Sequence, residues 1–139
     1  MLNVKKSVFW PKVTKAGMEF WSEMNPLPWF DDLFRVFENE DVFICTSPSS
    51  HWTSLAGKDV WMKKYLPKYM HRKFVITPHK YLLANPNSVL VDDSEKKILP
   101  FASEGGHTIL FPAPYNANRE FVGKEIEYVK EQYKRILNG

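Results

Sequence analysis

The chain has 139 residues, a formal net charge of +3 and one cysteine, with 44% apolar and 25% charged residues. These values are typical of one globular domain with a real core, and they exclude a disordered, collagen-like or coiled-coil chain. No apolar run approaches the roughly 20 residues that cross a bilayer, and a charge of +3 spread along the chain does not indicate nucleic-acid binding. The N-terminus lacks the apolar core of a signal peptide and a single cysteine favours a reducing compartment, so we expect a cytoplasmic protein without a membrane partner.

Four short apolar runs predict β-strands that are covered on both faces, because their hydropathy is continuous rather than alternating. They lie at residues 41–46, 74–77, 88–92 and 108–111. Apolar residues at helical spacing predict helices at 29–38, 55–65, 94–103 and 120–137. This alternation of strands and helices predicts an α/β fold with an open parallel sheet. Residues 1–30 carry aromatic residues without a strand pattern, and we expect a helical segment there.

Ligands of open α/β sheets bind beyond the carboxyl ends of the strands, so the residues that follow each strand are the first candidates for a site. The first predicted strand ends in the hydroxyl-rich residues 46–50, the second ends shortly before Lys80, and the fourth ends at 111–114. The third ends in Asp92 and Asp93, which we expect to face water. Hydroxyls and a lysine suit phosphate oxygens, and two adjacent carboxylates suit a hard cation such as Mg²⁺. Together they predict metal-assisted phosphate chemistry.

Each of these features also has a purely structural interpretation. The Thr-Ser-Pro sequence is typical of a turn or a helix cap, an isolated lysine is typically a solvated charge, and the two aspartates could cap the next helix. Cys45 lies in an apolar strand and is expected in the core, and the four histidines have no metal-ligand spacing. The N-terminal aromatic residues are either core or an apolar lid that stacks on a base. They are Phe9, Trp10, Phe20 and Trp21.

Four segments in this order resemble the haloacid dehalogenase superfamily, and more narrowly the 5′(3′)-deoxyribonucleotidases and their phage and bacterial relatives. The segments are DVFICTSP at 41–48, KDVWMKKYL at 58–66, ITPHK at 76–80 and VLVDDS at 89–94. Upstream, FW at 20–21 and NPLP at 25–28 resemble the aromatic cap segment of these enzymes. The resemblance covers about residues 8–115. It implies a Rossmann-like α/β core at 31–139 and a partial helical cap at 1–30.

The resemblance also implies which residues bind the phosphoryl group. Thr46 would hydrogen-bond the transferring phosphoryl group, and Ser47 would be a second phosphate contact. Lys80 would neutralise charge on the phosphoryl group and on the nucleophile. In such a mechanism an aspartate attacks phosphorus and forms an aspartyl-phosphate, which water then hydrolyses.

Four further roles are implied by the same resemblance. Asp92 would ligate Mg²⁺, and Asp93 would support the metal through water or a hydrogen bond. Phe20 and Trp21 would line the nucleotide pocket. The implied cofactor is therefore Mg²⁺, and the implied ligand is a nucleoside monophosphate or phosphate.

The chain departs from the family in one motif. The family's nucleophile lies in an Asp-x-Asp motif on the first strand of the sheet, and no such motif occurs in residues 1–40. We therefore expect a chain that begins in the cap and lacks that strand, which lies between the strands ending at Thr46 and Asp92. Two strand edges would then be open, unless the two neighbouring strands close up on each other or the gap is filled by a partner's strand or by strand exchange in a homo-oligomer. A gene fragment whose full-length form is active would show the same gap.

The expected function is that of a phosphohydrolase-like protein of the 5′-nucleotidase type. It would act on or bind (deoxy)nucleoside monophosphates with Mg²⁺, and it would be incomplete or inactive alone. The alternative is a non-catalytic module, derived from a phosphatase, that binds a nucleotide or a protein partner. Release of phosphate from deoxynucleoside monophosphates distinguishes the two.

Overall fold

The computed structural model describes the backbone of residues 6–139 and the side chains of residues 11–139. The helices of this part are α1 (Lys6–Ala16), α2 (Met18–Ser22), α3 (Phe30–Val36), α4 (Trp52–Tyr65), α5 (Glu95–Ser103) and α6 (Glu125–Asn138). The strands are β1 (Ile44–Thr46), β2 (Phe74–Ile76), β3 (Val89–Asp92) and β4 (His107–Leu110). Short 3-10 turns lie at Lys68–Met70, Lys80–Leu83 and Arg119–Phe121. None of the helices described is long and apolar enough to span a membrane.

The strands form two parallel pairs. β1 pairs with β2, with Ile44 opposite Phe74, and β3 pairs with β4, with Val89 opposite His107. The predicted α/β class with parallel strands is therefore confirmed. Among residues 6–139 the pairs are two separate two-stranded sheets, so the prediction of one open sheet is not confirmed. In this part of the chain β1 pairs with β2 alone and β3 pairs with β4 alone.

The chain divides into two compact units. The first consists of Met1–Leu27 and Val42–Pro78, and the second of Pro28–Asp41 and His79–Gly139. In the described residues, the first unit contains α1, α2, α4 and the β1–β2 pair, and the second contains α3, α5, α6 and the β3–β4 pair. The predicted division into a cap at 1–30 and a core at 31–139 stays a prediction.

Helix α2 of the first unit packs against α4 at a glycine. A Cβ atom on Gly57 would lie 2.5 Å from the Cβ of Trp21 and 2.6 Å from the carbonyl oxygen of Met18, so no side chain fits there. Met62, five residues further along α4, is almost completely buried. The close approach at Gly57 places Trp21 directly beside α4. Cys45 is only half-buried in β1, so its expected place in the core is wrong.

The core of the second unit lies on β4. Ile109 of this strand packs with Phe111 and with Val129 of α6, and Ile109 and Val129 are almost fully buried. Helix α5 adds a second cluster, in which Phe101 packs against Leu90 of β3. These contacts hold β3 and β4 between helices, as continuous apolar strands require.

Candidate functional site

The carboxyl end of β1 carries the first group of candidate residues. Thr46 ends β1, and its carbonyl oxygen accepts a hydrogen bond from the N–H of Thr77 at 2.9 Å. The chain leaves the strand at Ser47 and runs to α4. There the Oγ of the buried Ser54 accepts from the N–H of Ser49 at 3.0 Å and donates to its carbonyl oxygen at 3.4 Å. These bonds hold the loop after β1 on the first turn of α4.

Lys58 of α4 binds the end of β1. Its Nζ donates to the Oγ1 of Thr46 at 2.8 Å and to the carbonyl oxygen of Ser47, and it lies 5.2 Å from the centroid of the Trp21 ring. A cation over an indole face is attracted to the ring. Lys58 is not among the residues predicted for the site. The signal that points to it is its spacing of four residues from Ser54, which sets both side chains on one face of α4.

Two buried polar atoms of this unit have no hydrogen-bond partner among the described residues. They are the Oγ of Ser47 and the Nε1 of Trp21. A buried polar atom without a partner costs about 1–3 kcal/mol, so it requires an explanation such as a ligand. A serine hydroxyl and an indole N–H can both donate to an anion. The end of β1 therefore has unused donor capacity beside a lysine.

The aromatic pair Phe20 and Trp21 lies on α2 in the same unit. The two ring centroids are 5.0 Å apart and the rings meet edge to face at 82°. The predicted role of this pair in lining a nucleotide pocket stays a prediction. The side chains of Phe9 and Trp10, which were predicted to join the same cluster, lie outside the described residues.

The carboxyl end of β3, in the second unit, carries the other group of candidates. The Nζ of Lys80 donates to the Oδ2 of Asp92 at 2.6 Å, and the two side chains are only 9% and 7% exposed. The Oδ1 of Asp92 accepts from the N–H of Ser94 at 2.9 Å. The expectation that Asp92 faces water is wrong, and so is the alternative that Lys80 is a solvated charge. Both charges can be buried because each neutralises the other and Asp92 gains a second hydrogen bond.

Asp93 is exposed, and it is held by residues that follow β4. Its carboxylate accepts a hydrogen bond from the hydroxyl of Tyr115, and its carbonyl oxygen accepts from the Nδ2 of Asn116 at 3.0 Å. Burial of the phenol, and then the bond to Asp93, raise the pKa of Tyr115 above its ordinary value. Neither Tyr115 nor Asn116 was predicted for the site. Their only signal in the sequence is their place just after the end of β4, where a ligand site is expected.

The described residues do not complete a metal site. No group of three or more His, Cys, Asp or Glu side chains in them could hold a metal ion. Asp92 and Asp93 offer the oxygen atoms that Mg²⁺ prefers, but both oxygens of Asp92 already accept bonds from Lys80 and Ser94. The prediction of Mg²⁺ on Asp92 is therefore not confirmed.

The structure divides the predicted site residues between the two units. The first unit contains Phe20, Trp21, Thr46 and Ser47, and the second contains Lys80, Asp92 and Asp93. In the first unit Lys58 joins the two residues at the end of β1, and in the second a direct ion pair joins Lys80 to Asp92. The catalytic and binding roles of these residues stay predictions.

The structure is that of an α/β protein with hydroxyl, ammonium and carboxylate groups at the carboxyl ends of its parallel strand pairs, the position at which ligands bind in open α/β sheets. A family model described as 5′ nucleotidase, deoxy (pyrimidine), cytosolic type C protein matches residues 4–136. Because this match covers nearly the whole chain, the chain belongs to that family, which is deoxyribonucleotidase-like and part of the haloacid dehalogenase superfamily. The predicted resemblance is confirmed, and membership supports a phosphohydrolase of the 5′-nucleotidase type. Searches of the curated proteins and of the solved structures give no match.

Proposed function

We propose that the chain is a phosphohydrolase of the 5′-nucleotidase type that acts on (deoxy)nucleoside monophosphates. Because the family is described by pyrimidine deoxynucleotides, these are the first substrates that we propose to test. The observation that carries the proposal is the group at the end of β1, where the ammonium of Lys58 meets Thr46 and Ser47. The superfamily's open Rossmann-like sheet, a Mg²⁺ requirement and a cytoplasmic location are parts of the proposal that rest on the family and the sequence alone.

A phosphate monoester matches the donors at this strand end. The ammonium of Lys58 donates there to the hydroxyl of Thr46 and the carbonyl oxygen of Ser47, and an ammonium makes stronger hydrogen bonds to charged phosphate oxygens than to such neutral oxygens. The Oγ of Ser47, which has no partner among the described residues, would gain one. The Trp21 ring lies beside Lys58, so an aromatic side chain of the kind that stacks on bases adjoins the phosphate donors.

Nucleotide binding without turnover is the second candidate function. The observation that favours it is that the 139 residues contain no Asp-x-Asp motif, the motif that carries the nucleophile in the family. In this case the group at the end of β1 would bind the phosphate and no phosphoryl transfer would follow. For this second candidate function we also propose that a partner or a second copy of the chain supplies a further strand.

The experiment measures phosphate release and ligand binding for the purified chain and two lysine variants. Thymidine, deoxyuridine and deoxyadenosine monophosphates are incubated with each protein, with and without Mg²⁺, and binding is followed by calorimetry. Lys58→Met removes the ammonium and keeps a long side chain. Lys63→Met on the same helix is the matched control, because Lys63 is exposed and its Nζ pairs with Asp59 of α4 at 2.7 Å.

We expect Lys58→Met to lower kcat/KM or the binding constant by about tenfold to a hundredfold, the loss of a charged hydrogen bond. Lys63→Met should leave both quantities unchanged. Turnover that follows this pattern supports the phosphohydrolase. Binding that follows it without any turnover supports the second candidate. Equal effects of the two variants, or no binding at all, would overturn both.

A further inference from the structure

The loop that follows β4 is bonded to the turn that follows β3. We call residues 113–118 the clamp segment and residues 92–95 the acid turn. The hydroxyl of Tyr115 donates to the carboxylate of Asp93, and the Nδ2 of Asn116 donates to its carbonyl oxygen at 3.0 Å. The N–H of Ala117 donates to the Oε1 of Glu95 at 3.0 Å. Three consecutive residues of the clamp segment therefore contact the acid turn.

Asn116 is the centre of the clamp segment. Its side chain is buried, and its amide group makes four hydrogen bonds. The Nδ2 donates to the carbonyl oxygens of Phe111, at 2.8 Å, and of Asp93. The Oδ1 accepts from the N–H groups of Ala113, at 3.3 Å, and of Asn118, at 3.0 Å. A buried amide whose hydrogen-bonding capacity is used in full specifies one geometry, because any shift leaves a buried polar group unpaired.

The geometry that Asn116 specifies extends to the buried ion pair. The peptide group between Asp93 and Ser94 has its carbonyl oxygen on Asn116 and its N–H on the Oδ1 of Asp92. If this peptide group rotates, the N–H of Ser94 leaves Asp92. The carboxylate of Asp92 is then held only by Lys80 among the bonds described. The orientation of Asp92 therefore depends on the side chain of Asn116, which acts through the peptide group between Asp93 and Ser94.

We propose that Asn116 is a positioning residue for the acid turn, and that Tyr115 orients the carboxylate of Asp93. This inference rests on the proposed function only where it concerns catalysis. Its structural half concerns the acid turn itself and can be measured in a protein that has no activity.

The clamp segment contains its own matched control. Asn118 is the same residue type in the same loop, and its Nδ2 also donates two hydrogen bonds, to the carbonyl oxygen of Leu110 at 2.7 Å and to the hydroxyl of Tyr128 at 2.9 Å. Neither acceptor belongs to the acid turn. Tyr133 likewise matches Tyr115, because its hydroxyl donates to a carboxylate oxygen of Glu40 at 2.5 Å.

The first test measures hydrogen exchange of the Ser94 amide by NMR in the full chain, corrected for global stability by urea unfolding. Asn116→Ala is expected to accelerate this exchange by about tenfold, the effect of one lost hydrogen bond. Asn118→Ala keeps the backbone N–H that bonds Asn116 and should change the exchange by less than about twofold, because the Asn118 side chain has its partners in Leu110 and Tyr128 and not in the acid turn. Equal changes in the two variants, or none in Asn116→Ala, would overturn the positioning role.

A second variant keeps the test decisive if Asn116→Ala does not fold. Tyr115→Phe removes one hydroxyl from a side chain that is more than half exposed, so it leaves the core unchanged. It is expected to shift the side-chain carboxylate carbon signal of Asp93 in the NMR spectrum, and Tyr133→Phe is expected to leave that signal in place. An unmoved Asp93 signal in Tyr115→Phe contradicts the proposal.

The catalytic half is tested by thymidine monophosphate hydrolysis. If the wild-type chain turns over, Asn116→Ala should lower kcat by about tenfold with little change in KM, because misplaced catalytic groups affect the transition state more than substrate binding. Asn118→Ala should retain the wild-type kcat. If kcat is equal in the two variants, the proposal fails. If the wild-type chain is inactive, the proposed phosphohydrolase fails instead, while the exchange and carbon signals still decide the positioning role.

Discussion

The buried ion pair of Lys80 and Asp92 leads to the sharpest stability prediction. Lys80→Met removes the ammonium and leaves a carboxylate whose side chain is 7% exposed, and Asp92→Asn leaves the ammonium without its counter-charge. The double variant, which carries both substitutions, has neither the ammonium nor the carboxylate of this ion pair. We therefore expect each single variant to be strongly destabilised, and the double variant to be more stable than the sum of the two predicts.

The magnitude follows from the geometry of the pair. Between charges 2.6 Å apart, with an effective dielectric constant of about 20, the attraction is about 6 kcal/mol. Desolvation of both groups offsets part of it, and removing one partner of a buried pair typically costs about 3–5 kcal/mol. The double variant has no uncompensated charge, so the coupling energy of the cycle should be about 2–3 kcal/mol.

Urea unfolding of the four proteins of this cycle, followed by circular dichroism, measures the coupling energy. The exposed pair of Arg135 and Glu131, 2.5 Å apart on α6, is the control. Its cycle, built from Arg135→Met and Glu131→Gln, should give a coupling of no more than about 0.5 kcal/mol. Additivity of Lys80→Met and Asp92→Asn within about 0.5 kcal/mol would refute the reasoning, because the pair would then behave as two independent solvated charges.

Three further predictions follow from packing and from one hydrogen bond. Gly57→Ala adds a Cβ atom only 2.5 Å from a side-chain atom of α2, and it should destabilise the chain by about 1–3 kcal/mol in urea unfolding, as overpacking does. Ile109→Ala, at a position 1% exposed, should cost about 2–5 kcal/mol in the same assay, whereas Leu99→Ala, at a position 66% exposed, should cost less than about 1 kcal/mol. The bond to Glu40, and then burial, raise the pKa of Tyr133 from 10 to about 12. The stabilisation that the Tyr133 hydroxyl contributes over Tyr133→Phe should therefore be complete below pH 10 and be lost as the pH rises towards 12.

Each of these predictions has an outcome that contradicts it. A Gly57→Ala variant as stable as the wild type would show that α2 can move away from α4 at no cost. Equal losses for Ile109→Ala and Leu99→Ala would contradict the burial argument. A difference between wild type and Tyr133→Phe that stays constant across the alkaline range would contradict the pKa shift.

The elements of the fold could largely be predicted because their signals are local. Each of the four strands overlaps a continuous apolar run, and the four segments predicted as helices overlap α3, α4, α5 and α6. The starts of two helices differ from the predicted starts, because a residue just before each helix determines where it begins. Helix α4 begins at Trp52 rather than at residue 55, because the side chain of His51 accepts from the N–H of Thr53 and caps the helix. Helix α6 begins at Glu125 rather than at 120, because Gly123 adopts a positive φ of 95°.

The candidate site could be predicted only in part. The rule that ligands bind at the carboxyl ends of parallel strands selects Thr46 and Asp92 from the sequence alone. It does not select Lys58, which lies on a helix at the start of the KDVWMKKYL segment, or Tyr115 and Asn116, which lie in a loop and have no motif of their own. These residues became candidates only through the atoms that they contact.

The sequence by itself determined the α/β class, the position of each strand and the family, because hydropathy runs and motif spacing depend on residues close together in the chain. Only the tertiary structure decided that the described strands form two separate pairs, and that Asp92 is buried with Lys80 rather than exposed to water. It also decided that Lys58 binds Thr46 and that Asn116 binds the turn at Asp93. The physical reason is that burial and hydrogen bonding join residues 12 to 23 positions apart in these contacts, so packing rather than local sequence determines which donor meets which acceptor.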